Sequence, residues 1–144
     1  MAARSFITAR LMETWAHGQD VVDALGVTRV PTVRLRHVAH IGVRARPFSY
    51  ALHNMMVPSV DVPVRLTGPD GEAWSWDETE DDPASVNSVS GLALDFCLVV
   101  TQRRHLSDTR LDVVGAAAAE RIAIAQAFAG GAGRGRQPGQ FTGQ

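Results

Sequence analysis

Glu13, His17 and Asp20 stand four and three residues apart, with Arg10 a further three residues upstream. On a helix at about 100° per residue, with Glu13 as zero, His17 falls near 40°, Asp20 near −20° and Arg10 near 60°. Four ionisable groups therefore share one stripe. Glu at i and His at i+4 offer one oxygen and one nitrogen from successive turns, a donor pair suited to zinc or a similar divalent cation. Asp20, one turn beyond His17, can orient the second ring nitrogen of that histidine or pair with Arg10. The same spacing also makes a salt-bridged stripe that holds no metal, since acid–His pairs at i,i+4 are common. Phe6, Ala9, Ala16, Val21 and Ala24 lie along the stripe, and Leu11, Trp15 and Val22 lie opposite. A helix apolar on both sides is expected to be buried, with its charges paired or on a metal.

A second group follows. His37 and His40 are at i,i+3 and share a face with Arg44, so the three can reach one ligand; pairing with backbone or acids between helices is the plainer alternative. Arg44 or Arg46 suits a carboxylate, because guanidinium reads carboxylates through two parallel hydrogen bonds. His53 and His105 stand alone near element ends and are read as structural or exposed. Cys97 sits within an apolar run and reads as a small buried hydrophobe, not a nucleophile. Asp95 in the same run calls for a salt bridge to Arg103, Arg104 or another buried Arg. No residue is assigned a catalytic role.

The elements that position these groups can be read from pattern. Ser5 caps a first helix that runs to Leu25, with Gly26 in the usual place just past its end. A second helix covers 33–46, ended or kinked by Pro47, and resumes over 48–56. Pro58 and Pro63 bracket an extended linker. Val62, Val64 and Leu66 alternate with polar residues as a strand, Gly68-Pro69-Asp70-Gly71 is turn chemistry, and Trp74 and Trp76 alternate on the returning strand. An acidic loop over 77–82 and a short strand over 85–89 follow. Residues 92–100, apolar nearly all round, form a buried helix closed by Arg103, Arg104 and His105. A strand over 109–114 and an Ala-rich helix over 116–129 complete the order, with a disordered tail over 130–144. The expected class is α+β: a helical part over 1–57, then a small α+β domain over 60–129.

Composition narrows the function classes. The chain has 144 residues, 45% hydrophobic and 20% charged, with a formal net charge of −1. That is enough apolar mass for a real core, and no apolar run reaches the ~18–20 residues of a membrane span. The Met-Ala-Ala-Arg opening is no signal peptide, so the expected address is the cytoplasm. One cysteine excludes a disulfide framework and Cys-based zinc fingers. Near-neutral charge makes nucleic acid an improbable partner. All 14 basic residues are Arg, which fits the codon bias of a GC-rich genome.

The stretch Leu11-Met-Glu-Thr-Trp-Ala-His-Gly-Gln-Asp-Val-Val-Asp-Ala-Leu-Gly resembles the last bundle helix of the DinB-like, mycothiol-dependent maleylpyruvate isomerase family. That family's Glu-x-x-x-His-x-x-Asp pattern is matched at Glu13, His17 and Asp20. Three further blocks, Arg36-His-Val-Ala-His-Ile-Gly-Val-Arg, Leu66-Thr-Gly-Pro-Asp-Gly and Ala93-Leu-Asp-Phe-Cys-Leu-Val-Val-Thr-Gln-Arg-Arg-His, resemble an actinobacterial metal-binding branch of the superfamily. The resemblance implies the last helix of a DinB-like bundle, a following helix, and a small α+β domain. It further implies a divalent metal, zinc by expectation, on Glu13 and His17, with Asp20 behind His17. A third ligand, a His on an earlier helix, has no counterpart here, so the chain looks truncated and its site incomplete. The thiol of mycothiol, bound to the metal as thiolate, is the implied cofactor, with a small thiol or substrate as partner. Self-association, or a missing N-terminal half, would cover the apolar flanks of the helix. The segment 33–76 also resembles a wyosine base formation domain, a tRNA-modification label, with Arg34, Arg36, Arg44 and Arg46 beside Phe48 and Tyr50. A non-enzymatic structural fragment is the remaining alternative.

Overall fold

The computed structural model describes residues 3–77 and 86–141. Helix α1 (Ala3–Leu25) ends where Gly26 turns left-handed at φ +64°, and the Val27 amide closes back on the Val22 carbonyl at 3.0 Å. This is the glycine-terminated helix end expected from the sequence. Helices α2 (Leu35–Arg44) and α3 (Arg46–Leu52) are separated by a break at Ala45, with Pro47 in the first turn of α3, where its missing N–H is harmless.

Strands β1 (Val64–Thr67) and β2 (Ala73–Trp76) pair antiparallel as the predicted hairpin. At its tip the Gly71 amide donates to the Gly68 carbonyl and the Glu72 amide to Asp70 Oδ1. Strand β3 (Ser88–Leu92) then runs parallel to β1 and leads directly into helix α4 (Ala93–Val100). A 3₁₀ turn (Leu106–Asp108), strand β4 (Asp112–Val114) and helix α5 (Ala116–Ala123) follow, β4 pairing antiparallel with β3. The sheet order is β2-β1-β3-β4, and the fold is α+β.

Alternation on β1, buried at Val64 and Leu66 and exposed at Arg65 and Thr67, turns one sheet face toward the helices. The core runs without a break from Met12 on α1, through Leu35, Val38 and Val43 on α2, to Phe96, Cys97 and Val100 on α4 and Ile122 on α5. Gly42 permits the α2–α4 crossing, since a Cβ there would lie 2.7 Å from a Val100 methyl. Arg121 is buried among these elements and donates to the carbonyls of Val62 (2.9 Å) and Val43 (3.2 Å). Burial, and then the charge of Arg46, push its guanidinium down to about 10, so it stays charged at neutral pH.

Several expectations need correction. The Ala-rich helix stops at Ala123, six residues short of Ala129, because the chain beyond makes tertiary hydrogen bonds that a helix would forbid. The Ala127 amide donates to Val100 O at 2.8 Å, and buried Gln126 donates to the carbonyls of Phe128 and Gly131. Residues 130–141, expected to be disordered, lie irregularly along the body. The Gly133 amide donates to Gln126, the Gly135 amide to Gln102, and the Gly139 amide to Asp108. The last strand is Asp112–Val114, shorter than 109–114. Asp95 does not meet an Arg side chain but accepts from the Arg110 backbone amide at 3.0 Å. Apart from Asp77, the acidic loop falls outside the described residues. No helix among them is long and apolar enough to cross a membrane.

Candidate functional site

Helix α1 has two faces of different fate. Met12, Ala16 and Gln19 are buried on the side that packs on α2. Around the helix from them, Phe6, Ile7, Val21 and Leu25 are each more than half exposed, and His17 lies among them. The acid–histidine stripe, expected to be buried, is therefore open: the side chains of Glu13, His17 and Asp20 are 38%, 70% and 37% exposed. The physical reason is that α2 and the segment around Arg29 cover one side of α1 only. Arg29 donates to Trp15 O and Gln19 Oε1 and stacks over the Trp15 ring at 4.9 Å.

On the open face Glu13 Oε2 stands 3.4 Å from His17 Nε2, and Asp20 Oδ2 stands 3.5 Å from His17 Nδ1. The outer carboxylate is itself held. Arg103 Nε and Nη2 donate to its two oxygens at 3.1 and 2.9 Å, and Arg136 reaches it at 3.4 Å. Burial raises the Asp20 carboxyl, but Arg103, with His17 and Arg136, outweighs that and holds it below its usual value. The expected partner Arg10 is not among these contacts. A turn further on, Asp23 and Arg104 form a bidentate pair at 2.8 and 2.9 Å, with side chains only 6% and 4% exposed. Hydrogen bonds from Arg104 hold Asp23 below the usual carboxylate range, against burial. The two adjacent arginines after α4 thus fix both the position and the rotation of α1.

Do these residues fit a metal ion? Zinc–oxygen and zinc–nitrogen bonds of about 2.0–2.2 Å at tetrahedral angles place two ligand atoms about 3.4 Å apart. The Glu13 Oε2 to His17 Nε2 separation of 3.4 Å matches such an edge. A carboxylate on the far ring nitrogen is the usual partner of a ligating histidine, and Asp20 occupies that place. The pair fits two corners of a site. Among the described residues no group of three or more His, Cys, Asp or Glu is gathered for a metal.

The second predicted group is also brought together. His37, His40 and Arg44 line one cavity of about 580 Å³, beside Arg4, Phe48 and Phe128. His40 Nδ1 accepts from Trp76 Nε1 at 3.2 Å. Arg44 Nη1 reaches Asp77 Oδ1 at 3.5 Å, whereas Arg46 is spent on the Val60 carbonyl. Sequence reasoning missed Trp76 and Phe128 here, and Arg103 behind Asp20. They come from 36 to 88 residues away along the chain, and no local spacing signals that. His105 caps the 3₁₀ turn by accepting from the Ser107 amide, and His53 caps α3. Cys97 is buried, its thiol 3.5 Å from Leu35 O, and burial raises its pKa far out of the reactive range.

No family model and no solved structure matches the chain. It is similar to an uncharacterized protein of Mycobacterium tuberculosis, found in two strains, with 51% identity over 136 residues. The match takes in 94% of this chain and 51% of the relative, so the chain spans about half the length of the curated relatives it matches.

Proposed function

We propose that this chain carries part of a divalent-metal site of the DinB-like, mycothiol-dependent isomerase type, with zinc as the expected ion. Glu13 and His17 are its two ligands and Asp20 the carboxylate that orients His17. One observation carries the reading: donor atoms 3.4 Å apart on the open face of α1, backed by a carboxylate that Arg103 holds by two hydrogen bonds.

The surroundings support it. Phe6, Ile7, Val21 and Leu25 flank the pair on the same open side, which is how the inner face of a helix bundle looks without its other helices. A further ligand comes from helices packing on that face, supplied by a longer chain or by a partner. A relative of which the match takes in only 51% is consistent with that arrangement. A divalent cation in such a site stabilises a thiolate, and so prepares a thiol such as mycothiol for addition to an activated carbon. The chain's own part is to hold Glu13 and His17 at ligand spacing and to fix the His17 ring through Asp20. No catalytic residue is assigned to the chain itself.

Calorimetric titration with zinc tests this, comparing the wild type with Glu13→Ala/His17→Ala. The expected result is a single zinc site that disappears in the double variant. Equal heats in the two proteins would leave Glu13, His17 and Asp20 as a salt-bridged stripe and the chain as a structural fragment.

A further inference from the structure

The cavity beside α2 lies on a different side of α1 from the metal pair. Arg4, Ser5 and Thr8 line it, and at about 100° per residue Glu13 and His17 point roughly 140° and 180° away from Thr8. Its lining is unusual in charge. It draws on two arginines and two histidines, and none of the described lining residues is Asp or Glu. The rest is mainly apolar, with Ile41, Phe48 and Phe128 prominent. A volume of about 580 Å³ lies within the range of small-molecule sites.

One polar group there has its proton placed. Trp76 donates to His40 Nδ1, which makes that nitrogen the acceptor and leaves the proton on Nε2 in the neutral ring. Burial, then the charges of Arg44 and His37, lower the pKa of His40 and so favour the neutral ring. Arg44 is 61% exposed, and its contact with Asp77 is long at 3.5 Å, so its guanidinium retains free donors.

We propose that this cavity binds a small organic monocarboxylate with an apolar, aromatic-sized body. The body lies between Ile41, Phe48 and Phe128, and the carboxylate meets Arg44, with Arg4 and the His40 Nε2–H as further donors. A positive rim over an apolar floor selects an amphipathic anion over a cation or a neutral molecule. The site is independent of the metal reading, since it shares no residue with Glu13, His17 or Asp20.

The experiment titrates 3-phenylpropanoate into the full chain and follows the imidazole resonances of His37 and His40 by NMR. The neutral 3-phenylpropanamide serves as control. Saturable shifts at these two histidines are expected, with affinity about tenfold or more weaker for the amide and for Arg44→Gln. Arg44 is largely exposed, so this variant keeps the fold. Glu13→Ala/His17→Ala binds the carboxylate as the wild type does, which separates failure of this proposal from failure of the metal site. Equal binding of acid and amide would overturn it, as would absence of saturable shifts at His37 and His40. Shifts that follow protein concentration and not ligand would assign the cavity to contact with a second copy, and would overturn it too.

Discussion

At the scale of single residues, two aspartates on one helix do different work through adjacent arginines. Asp20 is partly exposed and shared between His17 and Arg103, so it joins the helix surface to the loop after α4. Asp23 is almost wholly enclosed with Arg104, so it anchors the helix. Removing one partner of an enclosed ion pair strands the other charge, at a cost of about 3–5 kcal/mol. Asp23→Ala is therefore expected to lower stability by that amount in urea denaturation, with Arg104 left uncompensated. The pH dependence has a definite sign. A carboxyl whose pKa is lowered in the folded state stabilises the fold above its unfolded value, about 3.9. That stabilisation is lost as the pH falls through the lower, folded-state value. Asp20 and Asp23 both lie on the lowered side, so stability should fall on acidification below about pH 4. The fall should be shallower in Asp23→Asn; equal slopes would contradict the pairing.

At the scale of elements, packing distances decide more than propensity. Gly42 brings α2 against α4, and a Cβ there would press on a stiff Val100 side chain at 2.7 Å and on the Phe96 ring at 3.1 Å. Gly42→Ala, favourable by helix propensity, is instead expected to destabilise by about 1–3 kcal/mol, read as a lower urea midpoint with unchanged slope. The elements themselves were largely legible from sequence. Gly26 marks the end of α1, Pro47 the break before α3, the Gly68–Gly71 turn the hairpin, and the run apolar but for Asp95 the buried helix α4. What pattern missed was decided by distant partners. The end of α5 at Ala123 follows from hydrogen bonds between 126–127 and Val100, Phe128 and Gly131, which outweigh the helix preference of alanine. The exposure of the Glu13–His17 stripe was likewise illegible. Periodicity shows that α1 is apolar on two sides, but not which side finds a neighbour within this chain.

At the scale of the whole molecule, a continuous core supports one surface that is open and chemically unusual. The sheet, α4 and α2 enclose the buried residues, and α1 lies on the outside, locked to the loop after α4 by Asp20–Arg103 and Asp23–Arg104. The returning tail adds Arg136 to Asp20 and stacks Phe141 near Arg104 and Arg136. A helix fixed so firmly, yet apolar and acid–histidine-bearing on its free side, presents the proposed metal pair on a preformed surface. The candidate site was legible at its centre, where Glu13, His17 and Asp20 are local in sequence. The arginines that hold it were not, because they come from the other end of the fold.

The most direct test follows all five histidines of the chain by NMR while zinc is added. The account predicts that His17 responds first and saturates at one equivalent, with the four other imidazoles unmoved. Zinc that reaches His37, His40, His53 or His105 first, or that leaves His17 unchanged, would contradict the assignment of the metal to α1.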